Sequence, residues 1–159
     1  MTNNKTRVVV TGMGAITPLG NSVDDYWSSL VRGESGIGPI TLADTSDFPS
    51  KIAGEASDFD PGEFMEPKEH KRMARFSQLA VAAAGLAIKD AGLDLANGNR
   101  DRIGVVMGNG VGGFPTMEDN SRTLIGRGGM KMSPYFIPMI LPNMAAANVS
   151  RLYGLTGYT

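Results

Sequence analysis

Hydrophobic positions along the chain follow two patterns, short continuous runs that end in glycine and longer stretches with helical spacing. The runs at residues 7–14 and 102–108 each predict a buried strand that leads into a tight glycine-rich loop. A shorter strand is predicted at residues 51–55. Strands that alternate with helices in this way predict an α/β fold with parallel strand pairing.

Helices are predicted where apolar residues recur at spacings of three and four and a glycine follows. These helices are residues 22–32, 67–91 and 143–153, and they are followed by Gly33, Gly92 and Gly154, respectively. A polar segment at 116–126 is also predicted to be helical. Four alanines of the second helix share one face, on which another backbone can approach closely: Ala80, Ala83, Ala84 and Ala87. Residues 133–143 contain three prolines and are predicted to form an apolar loop.

Composition and charge exclude several classes of function. Fifteen Lys and Arg residues against sixteen Asp and Glu residues give a net charge of −1, so no global field attracts nucleic acid. The absence of cysteine excludes disulfides and a thiol nucleophile within these 159 residues. The longest apolar run, 79–88, is about half of a membrane span, and the polar start contains no signal peptide. A cytoplasmic protein without membrane contact is expected.

The glycine-rich loops and the single histidine offer little catalytic chemistry. A dinucleotide fingerprint needs a third glycine at the start of a helix, where the first loop has Thr17 and Pro18. The second loop is predicted to enter Phe114-Pro115 rather than a helix. His70 has no converging ligands or orienting partner in the sequence, so it is interpreted as an exposed helical residue. No metal or cofactor is predicted, and a nucleotide-binding module remains a minor alternative.

A run of basic residues forms one face of the predicted second helix. Lys68, Lys71, Arg72 and Arg75 are spaced at i, i+3, i+4 and i+7, with Glu69 as the only interleaved acid. Such a face is either simply solvated or suited to an acidic partner. The sequence alone leaves both interpretations open.

Four segments resemble the β-ketoacyl-acyl-carrier-protein synthases. They are RVVVTGMGAITPLGN at 7–21, YWSSLVRGESGI at 26–37, RIGVVMGNGVGG at 102–113 and MSPYFIP at 132–138. The resemblance covers nearly the whole chain in order and is strongest to the type II elongation synthases. It implies an α/β thiolase-like fold, layered αβαβα, of which residues 1–159 are the N-terminal part, in a protein that forms homodimers.

The resemblance also implies decarboxylative Claisen condensation of an acyl thioester with malonyl-acyl carrier protein in fatty acid elongation. A cysteine nucleophile and two histidines perform this reaction in the family. None is present here, and His70 matches neither histidine. Residues 155–159 match the strand before the nucleophile, so the catalytic residues are expected beyond Thr159. The 159 residues are therefore expected to be an incomplete ketosynthase domain, inactive and unstable as a monomer by themselves.

The resemblance assigns roles to several residues that are not catalytic. Val111 matches a position that lines the acyl-chain pocket, and Phe136 and Ile137 match a dimer-interface segment that reaches the neighbouring subunit's pocket. The expected docking positions for acyl carrier protein are Lys68, Lys71, Arg72 and Lys131. An alternative function is a non-catalytic partner of the chain-length-factor kind.

Overall fold

The computed structural model describes residues 6–159, which form six α-helices and one small sheet of two strands. The helices are α1 (Val23–Val31), α2 (Pro67–His70), α3 (Arg75–Asp90), α4 (Phe114–Arg127), α5 (Phe136–Ile140) and α6 (Met144–Tyr153). The strands are β1 (Ile37–Pro39) and β2 (Ile52–Gly54). Single turns of 3₁₀ helix lie at Pro61–Glu63, Arg100–Arg102 and Gly129–Lys131.

Local capping fixes the ends of the predicted helices. The hydroxyl of Ser22 accepts a hydrogen bond from the Asp25 N–H at 3.1 Å and starts α1. Gly33, Gly92 and Gly154 follow the ends of α1, α3 and α6 with φ angles of 71°, 59° and 65°. Glycine adopts these left-handed angles without the steric cost that a Cβ imposes. The predictions for residues 22–32 and 143–153 are confirmed.

The single long helix predicted at residues 67–91 is wrong, because the chain breaks between α2 and α3. Met73 and Ala74 in the break are buried, and Ala74 is extended with ψ of 162°. The side-chain amide of Gln78 donates hydrogen bonds to the carbonyls of His70 at 2.9 Å and Met73 at 3.2 Å. The His70 carbonyl also accepts from the Met73 N–H at 3.2 Å, so the Gln78 amide adds hydrogen bonds across the break. Tertiary burial of Met73 therefore overrides a continuous helical pattern.

The predicted short strand at 51–55 is confirmed as β2. It pairs with β1 in antiparallel register, with Gly38 opposite Ala53. The predicted strand at 7–14 is not found, since no backbone hydrogen bond joins residues 7–12 to another segment within 6–159. Val8 is 89% exposed, so the prediction of a buried strand is also wrong here. Burying such a run requires neighbouring strands, which residues 6–159 do not place along it.

The apolar run at 102–108 is extended and half-buried rather than a regular strand. Ile103, Val105 and Met107 pack against the core, while Val106 is fully exposed. The Val105 N–H donates to the Tyr158 carbonyl at 2.8 Å, and the Gly157 N–H donates to the Ile103 carbonyl at 3.1 Å. The two segments thus run side by side in the same direction. The predicted parallel pairing is limited to this short contact.

The core lies where α3 packs against α6. Its buried apolar side chains are Met73, Val81, Val149 and Leu155. The Tyr153 hydroxyl donates to the Val81 carbonyl at 3.2 Å and lies directly over Gly85, where a side chain would collide with it. Removal of these apolar groups from water is the main term that holds the two helices together.

The other side of α3 receives the backbone of the loop at residues 12–14. A Cβ atom at Gly14 would lie 2.7 Å from the Ala87 nitrogen, and the Met13 N–H donates to the Asp90 carboxylate at 2.8 Å. The predicted small-residue face therefore does admit another backbone. The loop lies against Ala83, Ala87 and Ala91, whereas Ala84 faces the α6 side.

Replacement of Gly14 by alanine tests this close approach. Because the new methyl group meets backbone atoms of α3 that cannot move aside, Gly14→Ala should lower the free energy of unfolding by about 1–3 kcal/mol. Gly126→Ala is the matched control: Gly126 is helical and exposed, with no atom within 4 Å of its Cβ position. The control should stabilise the protein by about 0.5–1 kcal/mol. The packing would be contradicted if both variants shifted the urea unfolding midpoint in the same direction relative to wild type.

Candidate functional site

A glycine-rich loop at residues 108–113 is fixed to the end of α5. The Gly113 N–H donates to the Ile140 carbonyl at 3.2 Å, and the Asn109 side-chain amide donates to the Pro142 carbonyl at 3.4 Å. A Cβ at Gly113 would lie 2.9 Å from the Ile140 Cα, so the two backbones are in direct contact. The loop that contains Val111 and the helix that contains Phe136 and Ile137 are thereby held together.

Two helices of this region begin or continue through prolines that the sequence analysis interpreted as breaks. The helix predicted at residues 116–126 is confirmed as α4. It starts two residues earlier, at Phe114, with Pro115 in its first turn, so the prediction that Gly113 does not lead directly into a helix is wrong. α5 occupies the predicted apolar loop and contains Pro138. A proline fits the first turn of a helix because the N–H groups there have no intrahelical acceptor. The side-chain oxygen of Asn120 in α4 accepts from the Ser133 N–H at 3.1 Å and connects α4 to the segment that leads into α5.

The three predicted acyl-binding residues lie at the surface of residues 6–159. Val111 is 69% exposed and Ile137 is 57% exposed, while Phe136 is half-buried. The contact of Gly113 with Ile140 joins the loop that contains Val111 to the helix that contains Phe136 and Ile137. Apolar side chains that remain accessible are typical of surfaces that bind an apolar ligand or another protein.

The predicted docking cations form a basic surface made of Lys68, Lys71, Arg72 and Lys131, all of which are exposed. The first three lie in α2 and the turn after it, and Lys131 ends the 3₁₀ turn that follows α4. The Arg72 guanidinium lies 4.9 Å from the centroid of the Tyr135 ring. This contact connects the α2 region to the segment that contains Lys131.

Arg75 does not belong to the basic surface, and the predicted single helical face of four cations is wrong. Its guanidinium donates to the carbonyls of Phe59 at 3.0 Å and Ala56 at 2.7 Å, and lies 4.6 Å from the centroid of the Phe59 ring. Because the helix breaks before Arg75, this side chain points to a different neighbour. It holds the loop at residues 56–59 against α3.

Glu69, the acid within the basic surface, is bound by an arginine that the sequence analysis did not single out. The Arg151 guanidinium of α6 donates to the Glu69 carboxylate and forms an ion pair with it. The hydrogen bond from Arg151 holds the pKa of Glu69 below its usual range, and the charges of Arg72 and Lys68 add to the effect. The partners are 82 residues apart, so no local pattern indicates the pair.

His70 is half-buried at the end of α2 rather than exposed as predicted. Among the described residues, no group of three or more His, Asp or Glu side chains is placed to hold a metal ion. Over the same range, no helix is long and apolar enough to span a lipid bilayer. Gly12 and Gly14 of the first glycine-rich loop pack closely on α3.

The last five residues are held against the core and the extended segment at 103–105. Leu155 is buried, and the Thr156 N–H donates to the Arg100 carbonyl at 3.1 Å. The hydroxyls of Ser150 and Thr159 are hydrogen-bonded at 2.8 Å. The path of the chain up to Thr159 is thus fixed from several sides.

The model of the β-ketoacyl synthase N-terminal domain matches residues 5–159. The chain belongs to the β-ketoacyl synthase family. It is 47% identical over 153 residues to 3-oxoacyl-[acyl-carrier-protein] synthase 2 of Synechocystis, covering 96% of this chain and 37% of that protein. The synthase of the same name from Coxiella burnetii is 44% identical, with 96% and 37% coverage. The chain spans a little over a third of these relatives.

Solved structures of ketosynthases share the fold. The ishigamide ketosynthase/chain length factor superposes with a TM-score of 0.79 at 29% identity, covering 95% of this chain and 38% of that one. A β-ketoacyl synthase from Burkholderia phymatum gives a TM-score of 0.78 at 28% identity, covering 96% and 38%. The predicted thiolase-like α/β class is therefore confirmed.

The contact between the glycine-rich loop and α5 can be tested by adding one methyl group. In Gly113→Ala the new atom meets the Ile140 backbone, so amide hydrogen exchange of residues 136–141 should accelerate by about tenfold or more. Gly110→Ala is the control, because a methyl group there meets no atom within 4 Å. Unchanged exchange in Gly113→Ala would show that the loop does not support α5.

Proposed function

We propose that this chain is the N-terminal part of a 3-oxoacyl-acyl-carrier-protein synthase that elongates fatty acids. The observation that carries the proposal is the family match over residues 5–159, together with 43–47% identity to relatives of that name. The two surfaces described above, one apolar and one basic, fit the two things such an enzyme must recognise. These are an acyl chain and an acidic carrier protein.

In the proposed reaction a cysteine beyond Thr159 performs the covalent chemistry. Its thiolate attacks the acyl thioester, and the thiol of the carrier protein leaves. Two histidines beyond Thr159 promote loss of CO₂ from malonyl-acyl carrier protein and stabilise the resulting enolate. The enolate carbon then attacks the acyl-cysteine carbonyl and expels the thiolate. Residues 155–159 contribute by fixing the chain that leads to the nucleophile.

Residues of this chain would receive the acyl group. Val111 stands on a loop anchored to α5, so its side-chain volume would limit the length of the bound chain. Phe136 and Ile137 would lie at the interface of a homodimer and reach the partner subunit's acyl pocket. A partner that covers Ile137 would remove from water an apolar side chain that is exposed here.

The basic surface would dock acyl carrier protein. A related type II polyketide ketosynthase has been solved in complex with its acyl-carrier protein, and it superposes on this chain with a TM-score of 0.76 at 27% identity. Several exposed cations that face one partner accelerate encounter more than they increase affinity. We also propose a cytoplasmic location, where the cysteine nucleophile would remain reduced.

The proposal is tested on the polypeptide that contains this sequence. Its intact mass under denaturing conditions should lie far above 16.8 kDa. Incubation with acyl and malonyl carrier protein should yield one CO₂ per 3-oxoacyl product, and iodoacetamide should block the reaction. A single species at 16.8 kDa without activity would contradict the proposal.

A chain-length-factor-like partner is the second candidate, supported by the ketosynthase/chain length factor among the structural neighbours. Such a protein would lack the nucleophile but would associate with a catalytic ketosynthase. A full-length polypeptide that has no cysteine after Thr159 and that activates an added ketosynthase would favour this candidate.

Charge reversal on the basic surface tests carrier docking. Lys71→Glu combined with Lys131→Glu should raise KM for acyl carrier protein by about tenfold or more, because each exposed attraction of about 0.2–1 kcal/mol becomes a repulsion. The value of kcat with a carrier-free acyl thioester should stay unchanged. Lys89→Glu is the control, since Lys89 is exposed at the far end of α3. A similar rise of KM in the control would argue against a local docking site.

A further inference from the structure

The basic surface contains an acid that would weaken it if it were free. Glu69 lies between Lys68 and Lys71 in α2 and the turn after it, beside Arg72. A carboxylate at this place is within the fields of Lys68 and Arg72, which both lower its pKa. The structure gives this carboxylate a different partner, because it is bound by Arg151 from α6.

Arg151 is well placed to hold Glu69. It stands on α6, whose Asn148 and Val149 are buried against α3, so its backbone is fixed by the core. Its guanidinium also donates to the Asn148 side-chain oxygen at 3.4 Å. The Glu69 side chain is 23% exposed and that of Arg151 is 52% exposed, so the pair lies at the rim of the core.

We propose that Arg151 is a positioning residue for carrier-protein docking, which binds the Glu69 carboxylate and so leaves Lys68 and Arg72 free to contact an acidic partner. This inference rests on the proposed function. Glu69 and Arg151 together add no net charge to the surface. Without Arg151, the carboxylate turns to the nearest remaining cations, which are the docking cations themselves.

The test uses the complete synthase and acyl carrier protein as the titrated probe. Arg151→Gln should raise Kd by about three- to fivefold, the size of one exposed charge interaction. Arg151→Lys should stay near wild type, and Glu69→Gln alone should tighten binding. The double variant Glu69→Gln/Arg151→Gln should return to within about twofold of wild type, because the carboxylate that competes for Lys68 and Arg72 is then absent.

Two further readouts separate this role from a merely structural one. The dependence of Kd on salt concentration should become shallower in Arg151→Gln and recover in the double variant. The kcat with a carrier-free acyl thioester should be the same in all variants, so that the effect appears only in KM for the carrier protein.

Three results would contradict the role of Arg151, its pairing with Glu69 or the proposed function, and they can be told apart. Wild-type binding with an unchanged Kd in Arg151→Gln would refute the role of Arg151 and leave the proposed function intact. A double variant as weak as Arg151→Gln would show that the arginine acts by holding α2 in place rather than by pairing with Glu69. Failure of the wild-type enzyme to bind or use acyl carrier protein would refute the proposed function itself, and this inference with it.

Discussion

The small-residue surface of α3 is the constraint on which the other elements depend. On one side the backbone of Gly14 lies against Ala87, and on the other the Tyr153 hydroxyl lies over Gly85. A helix covered with alanine and glycine lets neighbours reach van der Waals contact without ordering long side chains, which lowers the entropic cost of packing. At these contacts a side chain on Gly14 or Gly85 would collide with its neighbour. The positions of the first loop and of α6 are therefore both determined by α3.

The position of α6 in turn fixes the functional features. Its buried face holds Val149 against α3, which carries Leu155 into the core and sets residues 155–159 beside the extended segment at 103–105. That segment continues into the glycine-rich loop that contains Val111, and the loop contacts α5 through Gly113 and Ile140. The proposed carrier-docking surface depends on α3 as well, because burial of Met73 ends α2 and leaves its cations at the surface. One packing arrangement therefore supports both proposed recognition surfaces.

Features set by neighbouring residues could be predicted from the sequence, and features set by distant ones could not. The ends of α1 and α6 depend on Ser22 and on glycines one or two residues beyond the helix, so local patterns sufficed. The break before α3 depends on Gln78 and a buried Met73, which no periodicity reveals. Prolines were interpreted as breaks although the first turn of α4 accepts one. The roles proposed for Val111 and Phe136 came only from family resemblance, because neither residue has a distinctive chemistry.

The pairing of Glu69 explains how a nearly neutral protein can present a positive surface. With a net charge of −1, the chain has no overall attraction for an acidic partner, so any attraction must be local. Each exposed cation contributes little by itself, and one unpaired acid among four cations would cancel a quarter of their charge. When Arg151 pairs with Glu69, the positive charge of the neighbouring lysines and arginine is kept. The compensating cation comes from α6, so α2 does not need to carry a further one. Under the proposed role of Arg151, the placement of α6 sets the charge of a surface that lies on another element. Substitutions in α6 would then alter partner recognition without touching that surface.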